Sequence, residues 1–120
     1  MSYWDSYTDV EVLIGKTLTK IEQKGVGELI FHTSDGESYI MYHEQDCCES
    51  VYLEEIIGDL DDLIGSPITM AEEISQVGES DWGSATWTFY KFATINGYVT
   101  LRWLGESNGY YSESVDFRKL

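Results

Sequence analysis

Cations are scarce in this 120-residue chain, where seven Lys and Arg stand against 22 Asp and Glu for a formal net charge of −15. Nucleic acid and anionic membrane are poor partners for such a surface, because phosphate contacts draw on Lys and Arg. A basic protein surface is the natural complement. Long apolar runs are missing too: nothing approaches the roughly 18 residues of a membrane span. The opening "MSYWDSYTDVEV" is acidic where a signal peptide is basic and then apolar. These absences predict a cytoplasmic protein. Cysteine is limited to the neighbours Cys47 and Cys48. In a reducing compartment such a pair is expected as metal ligands, a reactive thiol or buried filler, not as a disulfide, since a ring closed between neighbours is strained. Enzyme signatures are absent as well, with no Gly-rich phosphate loop, G-x-S-x-G elbow or H-E-x-x-H pair. Paired carboxylates such as Glu54-Glu55 and Asp61-Asp62 are too frequent here to specify acid–base chemistry, so a non-enzymatic role is expected.

What is present is enough apolar material for a core, 42% hydrophobic with 14% aromatic, and a single domain over 1–120 is expected. Two hairpins are written into the chain. In "TFYKFATINGYVTLRWL" the Asn96-Gly97 pair predicts a type I′ turn, setting Ile95 opposite Tyr98, Phe92 opposite Leu101 and Tyr90 opposite Trp103 on a buried face, with Lys91 and Arg102 on the other. In "ELIFHTSDGESYIMYH" an Asp35-Gly36 turn pairs Phe31 with Ile40 and Leu29 with Tyr42, leaving His32, Tyr39, Met41 and His43 on the second face. Between them, Leu53, Ile56, Ile57, Leu60, Leu63 and Ile64 recur at helical spacing and predict an amphipathic helix over 51–64, capped by Ser50 and stopped by Gly65 and Pro67. Strands are expected at 16–23, 67–75 and 110–117 beside the hairpins 28–43 and 86–104, with a helical turn at 8–14. The expected class is α+β: a mostly antiparallel sheet, two hairpins and one main helix. An internal two-fold repeat is a further possibility. "LIGKTLTKIE" from Leu13 is matched by "LIGSPITMAE" from Leu63, and "CCESV" at 47–51 by "YSESV" at 111–115. Two strand-plus-hairpin units sharing a core explain the match; chance is the alternative.

The stretch "HEQDCCES" carries the densest metal-ligating chemistry. Zinc takes thiolate and imidazole in a tetrahedron, and His43, Cys47 and Cys48 can converge if the chain winds after the hairpin, with Asp46 as fourth ligand and Glu44 or Glu49 as substitutes. His32 is left out, lying about 13 Å from His43 at about 3.3 Å per strand residue. The same cysteines also fit a buried apolar role, or a Cys48 nucleophile with His43 as base, for which no orienting group or oxyanion hole is evident.

The segments "MYHEQDCCESVYLEEIIGDLDDLIGSPI" and "DWGSATWTFYKFATINGYVTLRWLGESNGYYSESVDF" resemble a family of small acidic phage-encoded proteins of unknown function. The resemblance covers about two thirds of the chain. It implies a phage or prophage origin and a setting in the cytoplasm of an infected bacterium, and it brings no catalytic residues. In size and charge such proteins resemble anti-CRISPR inhibitors. The expectation that follows is an inhibitor of a host defence nuclease, best guessed as a CRISPR effector of the single-protein DNA-cutting type, whose Lys/Arg-rich groove a fixed negative surface can occupy. Glu54, Glu55, Asp59, Asp61, Asp62, Glu72 and Glu73, with Glu79 and Asp81 beyond, are the expected contacts, and Tyr110 and Tyr111 the expected aromatic anchors. The zinc would be structural. A metal- or thiol-dependent phage enzyme and a host-takeover protein with another partner are the alternatives.

Overall fold

The computed structural model describes residues 7–45, 48–81, 83–109 and 112–120. Eight strands run in chain order: β1 Leu18–Lys24, β2 Glu28–Thr33, β3 Ser38–Tyr42, β4 Ser50–Ile57, β5 Met70–Gly78, β6 Ser84–Thr94, β7 Gly97–Ser107 and β8 Asp116–Lys119. They form two four-stranded antiparallel sheets, ordered β1-β2-β3-β8 and β4-β7-β6-β5. The helical elements among the described residues are two short 3-10 turns, Val10–Leu13 and Leu60–Leu63. The fold is therefore a β-sandwich, which corrects the α+β expectation.

The inner faces meet in one apolar core. Leu29, Phe31, Tyr39, Met41 and Phe117 from the first sheet pack on Leu53, Tyr90, Phe92, Val99, Leu101 and Trp103 from the second. Phe31 touches Phe92 across the interface with ring centroids 5.8 Å apart, and Tyr39 stacks on Phe117 at 5.5 Å. Each such fully buried side chain contributes about 1.5–3 kcal/mol relative to exposure.

The predicted helix over 51–64 is strand β4 followed by a 3-10 turn. Its helical spacing is produced by a bulge: Leu53 pairs with Trp103 and Glu55 with Arg102, so Glu54 is an inserted residue that shifts the inside–outside alternation by one. Val51 and Leu53 point inward before the bulge and Ile56 after it. Gly58 then takes φ +106°, and a Cβ there would lie 2.5 Å from the Tyr98 carbonyl oxygen, a conformation no helix offers.

Both hairpins form, with registers other than those predicted. The first has a three-residue loop, Ser34-Asp35-Gly36, closed by Thr33 and Glu37 around Gly36 at φ +87°. Phe31 therefore faces Tyr39 and Leu29 faces Met41, a slip of one that moves Tyr39 and Met41 into the shared core and Ile40 and Tyr42 to the opposite face of the sheet, where Ile40 is still buried. In the second, Thr94 pairs with Gly97, Phe92 with Val99 and Tyr90 with Leu101, a shift of two that keeps Phe92, Tyr90, Leu101 and Trp103 inward, while Ile95 and Tyr98, expected on the buried face, are exposed at the turn. The turn moves to Ile95-Asn96 because Thr94 Oγ1 accepts the Asn96 N–H and Asn96 reaches Ser66. Gly97 lies so close to Asp62 that a Cβ would sit 2.6 Å from its Oδ2.

The chain changes sheets by a repeated rule. Strands β1, β2 and β3 build the first sheet and β4 crosses to the second; β5, β6 and β7 build the second and β8 crosses back. Each unit opens with a 3-10 turn and Ile-Gly, and the two openings bind each other reciprocally. Gly15 N–H donates to Ile68 O at 2.8 Å and Gly65 N–H to Leu18 O at 2.9 Å, with both glycines at nearly the same φ, +87° and +86°.

Candidate functional site

The crossover from β3 to β4 carries a buried polar pair. His43 follows β3 and Glu49 precedes β4, and their side chains are 4% and 0% exposed. His43 Nδ1 lies 2.8 Å from the Ser114 carbonyl oxygen and Nε2 lies 3.3 Å from Glu49 Oε1. A carbonyl only accepts, so Nδ1 donates to it. The second contact then needs one proton, on the ring or on the carboxyl, and both ring nitrogens are engaged. Gln45 donates to the Glu49 carbonyl and closes the loop. Beside the pair, His43, Glu44, Gln45, Glu49 and Ser112 line a cavity of about 330 Å³.

The matching crossover from β7 to β8 holds Glu113, whose Oε1 accepts from Thr86 Oγ1 at 2.8 Å and Ser84 Oγ at 3.2 Å, while Oε2 accepts from Ser107 Oγ at 2.5 Å. Glu113 also fills the space over Gly105, where a Cβ would meet its backbone oxygen at 2.4 Å. Glu49 and Glu113 stand 64 residues apart, as do His43 and Ser107. Each unit thus ends with a strand-terminal side chain bonded to the glutamate of its Glu-Ser-Val. Sequence reasoning missed both glutamates as anchors, although the repeated Glu-Ser-Val was their signal.

For the expected zinc set, Asp46 and Cys47 lie outside the described residues. Cys48 is disulfide-bonded, where a free thiol was expected. Both His43 nitrogens are already engaged by protein partners. Among the described residues no group of three or more His, Cys, Asp and Glu is arranged to hold an ion, so the described members fit a metal only after reduction and release of His43 from Glu49. His32 lies elsewhere, bonded through Nδ1 to Ser38 Oγ at 2.9 Å and facing Glu22.

The expected partner residues do not share a helix face. Glu54 and Glu55 lie on β4, where both clasp Arg102, at 2.7 and 2.8 Å. Asp59 caps the second 3-10 turn by accepting the Asp61 N–H, and Asp62 packs on Gly97. Glu72 and Glu73 lie on β5, and Glu73 accepts from the buried Tyr90 hydroxyl at 3.0 Å. Burial, followed by the Glu73 charge and bond, pushes the Tyr90 phenol up from its ordinary range. Tyr110 and Tyr111 lie outside the described residues. What unites the acids is the second sheet: residues 50–107 hold ten Asp and Glu against Lys91 and Arg102. Arg102 is committed to Glu54 and Glu55, and Asp59, Asp61, Asp62, Glu72, Glu79 and Asp81 have no ion pair among the described residues. In the first sheet, by contrast, Lys16 and Lys119 bind Asp35 and Glu37, holding both carboxyls down at about 2.

The fold and these sites define a small acidic β-sandwich of two interlocked units with one carboxylate-rich sheet. The chain belongs to the family described as a domain of unknown function (DUF7448), which matches residues 11–117. No curated protein and no solved structure matches it.

Proposed function

We propose that the protein is a non-enzymatic inhibitor that competes for a cationic surface on another macromolecule, its most specific target being the nucleic-acid groove of a bacterial defence nuclease such as a single-protein CRISPR effector. The observation that carries this reading is the uncompensated charge of the second sheet, where Asp59, Asp61, Glu72, Glu79 and Asp81 are exposed. Strand pairing holds these carboxylates or their flanking turns at set positions, so a cationic partner meets a preorganised field instead of a flexible acidic tail. Phage origin rests on the sequence resemblance alone. Structural zinc belongs to the same proposal in its reduced form, with a thiol reductant freeing Cys48.

The test is nuclease inhibition measured across salt. Exposed charges more than a Debye length apart are screened, about 10 Å at 0.1 M and about 3 Å at 1 M. Inhibition is expected to fade steeply over that range and to be lost in an Asp59→Lys, Asp61→Lys, Glu72→Lys, Glu79→Lys variant. Salt-independent inhibition untouched by charge reversal, or turnover of a small molecule, overturns the reading.

A further inference from the structure

Three of the four sheet edges are guarded. The β4 edge receives the connection between β1 and β2, with Leu53 N–H donating to Val26 O at 2.6 Å. The β8 edge receives the N-terminal segment, through Thr8 N–H to Phe117 O at 3.1 Å and a bridge from Tyr7 to Arg118. The β1 edge carries the exposed side chains of Lys20 and Lys24, charges that discourage pairing with another strand.

Strand β5 differs. It pairs with β6 without a bulge from Met70 to Gly78, and it is the last strand of its sheet. Every residue from Glu72 to Val77 is exposed, Ile74 at 41% and Val77 at 80%. The segment contains no Lys and no Pro, the residues that commonly blunt an edge. Along these six exposed residues every second one turns its backbone N–H and C=O away from β6, with apolar side chains beside them. Glu72 and Glu73 set the sign of what fits. A second copy of this chain laid antiparallel over the same six residues would set Glu72 and Glu73 opposite Val77 and Gln76 and offer neither carboxylate a cation, whereas a basic strand neutralises them.

Resting on the binding role above, we propose that the Glu72–Val77 edge of β5 is where the partner docks, a segment of a basic protein adding antiparallel as a fifth strand of the second sheet. Main-chain hydrogen bonds supply affinity and the alternating side chains supply selection. Read from its N-terminus against β5 from Val77 back to Glu72, the partner segment has the order apolar, any, any, apolar, basic, basic. Its apolar residues lie beside Val77 and Ile74, and its two cations beside Glu73 and Glu72.

The probe is a short synthetic peptide, acetyl-Val-Thr-Thr-Val-Lys-Lys-amide, with two derivatives N-methylated at alternate residues and poly-lysine as control. In an added strand one alternate set of amides faces β5 and the other faces solvent. One derivative is therefore expected to bind like the parent and the other at least about tenfold more weakly, since each lost bond is worth about 1 kcal/mol. Amides within Ile74–Val77 should gain hydrogen-exchange protection, and Val77→Lys should abolish it. If both derivatives bind equally, docking is by charge alone and the edge proposal fails while the charge reading survives. If poly-lysine binds and the peptide does not, the same conclusion follows. If neither binds at low salt, both fall.

Discussion

Glu113→Ala is expected to be among the most damaging substitutions at any polar side chain of the protein. The carboxylate accepts three hydroxyl bonds, from Ser84, Thr86 and Ser107, and Ser107 is fully buried. A hydrogen bond to a charged group is worth about 1.5–3 kcal/mol, with strong non-additivity among partners of one group. Taking the three bonds as one unit gives a loss of about 3–4 kcal/mol. At about 4 °C per kcal/mol for a chain of this size, that lowers Tm by roughly 12–16 °C. Glu113→Gln keeps the shape and one acceptor oxygen but turns an amide toward Ser107 Oγ, which already accepts the Gly109 N–H at 3.0 Å. Its cost should be about 1–2 kcal/mol, because charge-assisted bonds are about twice as strong as neutral ones. Ser107→Ala combined with Glu113→Ala should cost clearly less than the two singly. Differential scanning calorimetry with the exposed Glu79→Ala as control reads all four. A Glu113→Ala protein melting within about 2 °C of the parent, below the roughly 1 kcal/mol a single bond is worth, refutes the anchor.

His43→Ala removes the buried imidazole's contacts with the Ser114 carbonyl and the Glu49 carboxyl and should cost about 2–4 kcal/mol, measured by urea unfolding. Gly58→Ala must accommodate both φ +106° and a Cβ 2.5 Å from the Tyr98 oxygen, so a loss above about 2 kcal/mol and partial misfolding of the β4 end are expected. The Asp35 and Glu37 carboxyls are held at about 2, below their ordinary 3.8 and 4.5, by the Lys16 and Lys119 ammonium groups foremost. Because these folded-state values are depressed, the stability they contribute is complete above about pH 4.5 and is lost as pH falls toward about 2. Carbon-detected titration of Lys16→Met should show the Asp35 transition moving back up; no movement would deny Lys16 its role. Reduced protein given zinc should retain the ion and lose thermal stability on chelation if His43 and Cys48 are ligands, and elemental analysis showing none would end that proposal.

Composition alone set the acidic net charge on which the proposed cationic partner rests, because net charge depends on no contact. The two hairpins and the core face of β6 and β7 were legible for a local reason: alternation and turn residues act within a few positions of each other. Phe92, Tyr90, Leu101 and Trp103 were read as inward, and they are. The recurrence of Leu-Ile-Gly and Glu-Ser-Val was equally visible in one dimension. Only tertiary structure could decide that β4 is a strand, since a bulge at Glu54 and a helix produce the same spacing of Leu53 and Ile56, and the pairing with β7 chooses between them. The same holds for register, where Gly36 in a three-residue loop and the Thr94–Asn96 bond outweighed the dipeptide signals, and for the exchange of β4 and β8 between sheets. That exchange is what buries Glu49 beside His43 and Glu113 beside Ser107, bringing together residues whose partners lie on other strands, a matter of long-range packing and not of local propensity.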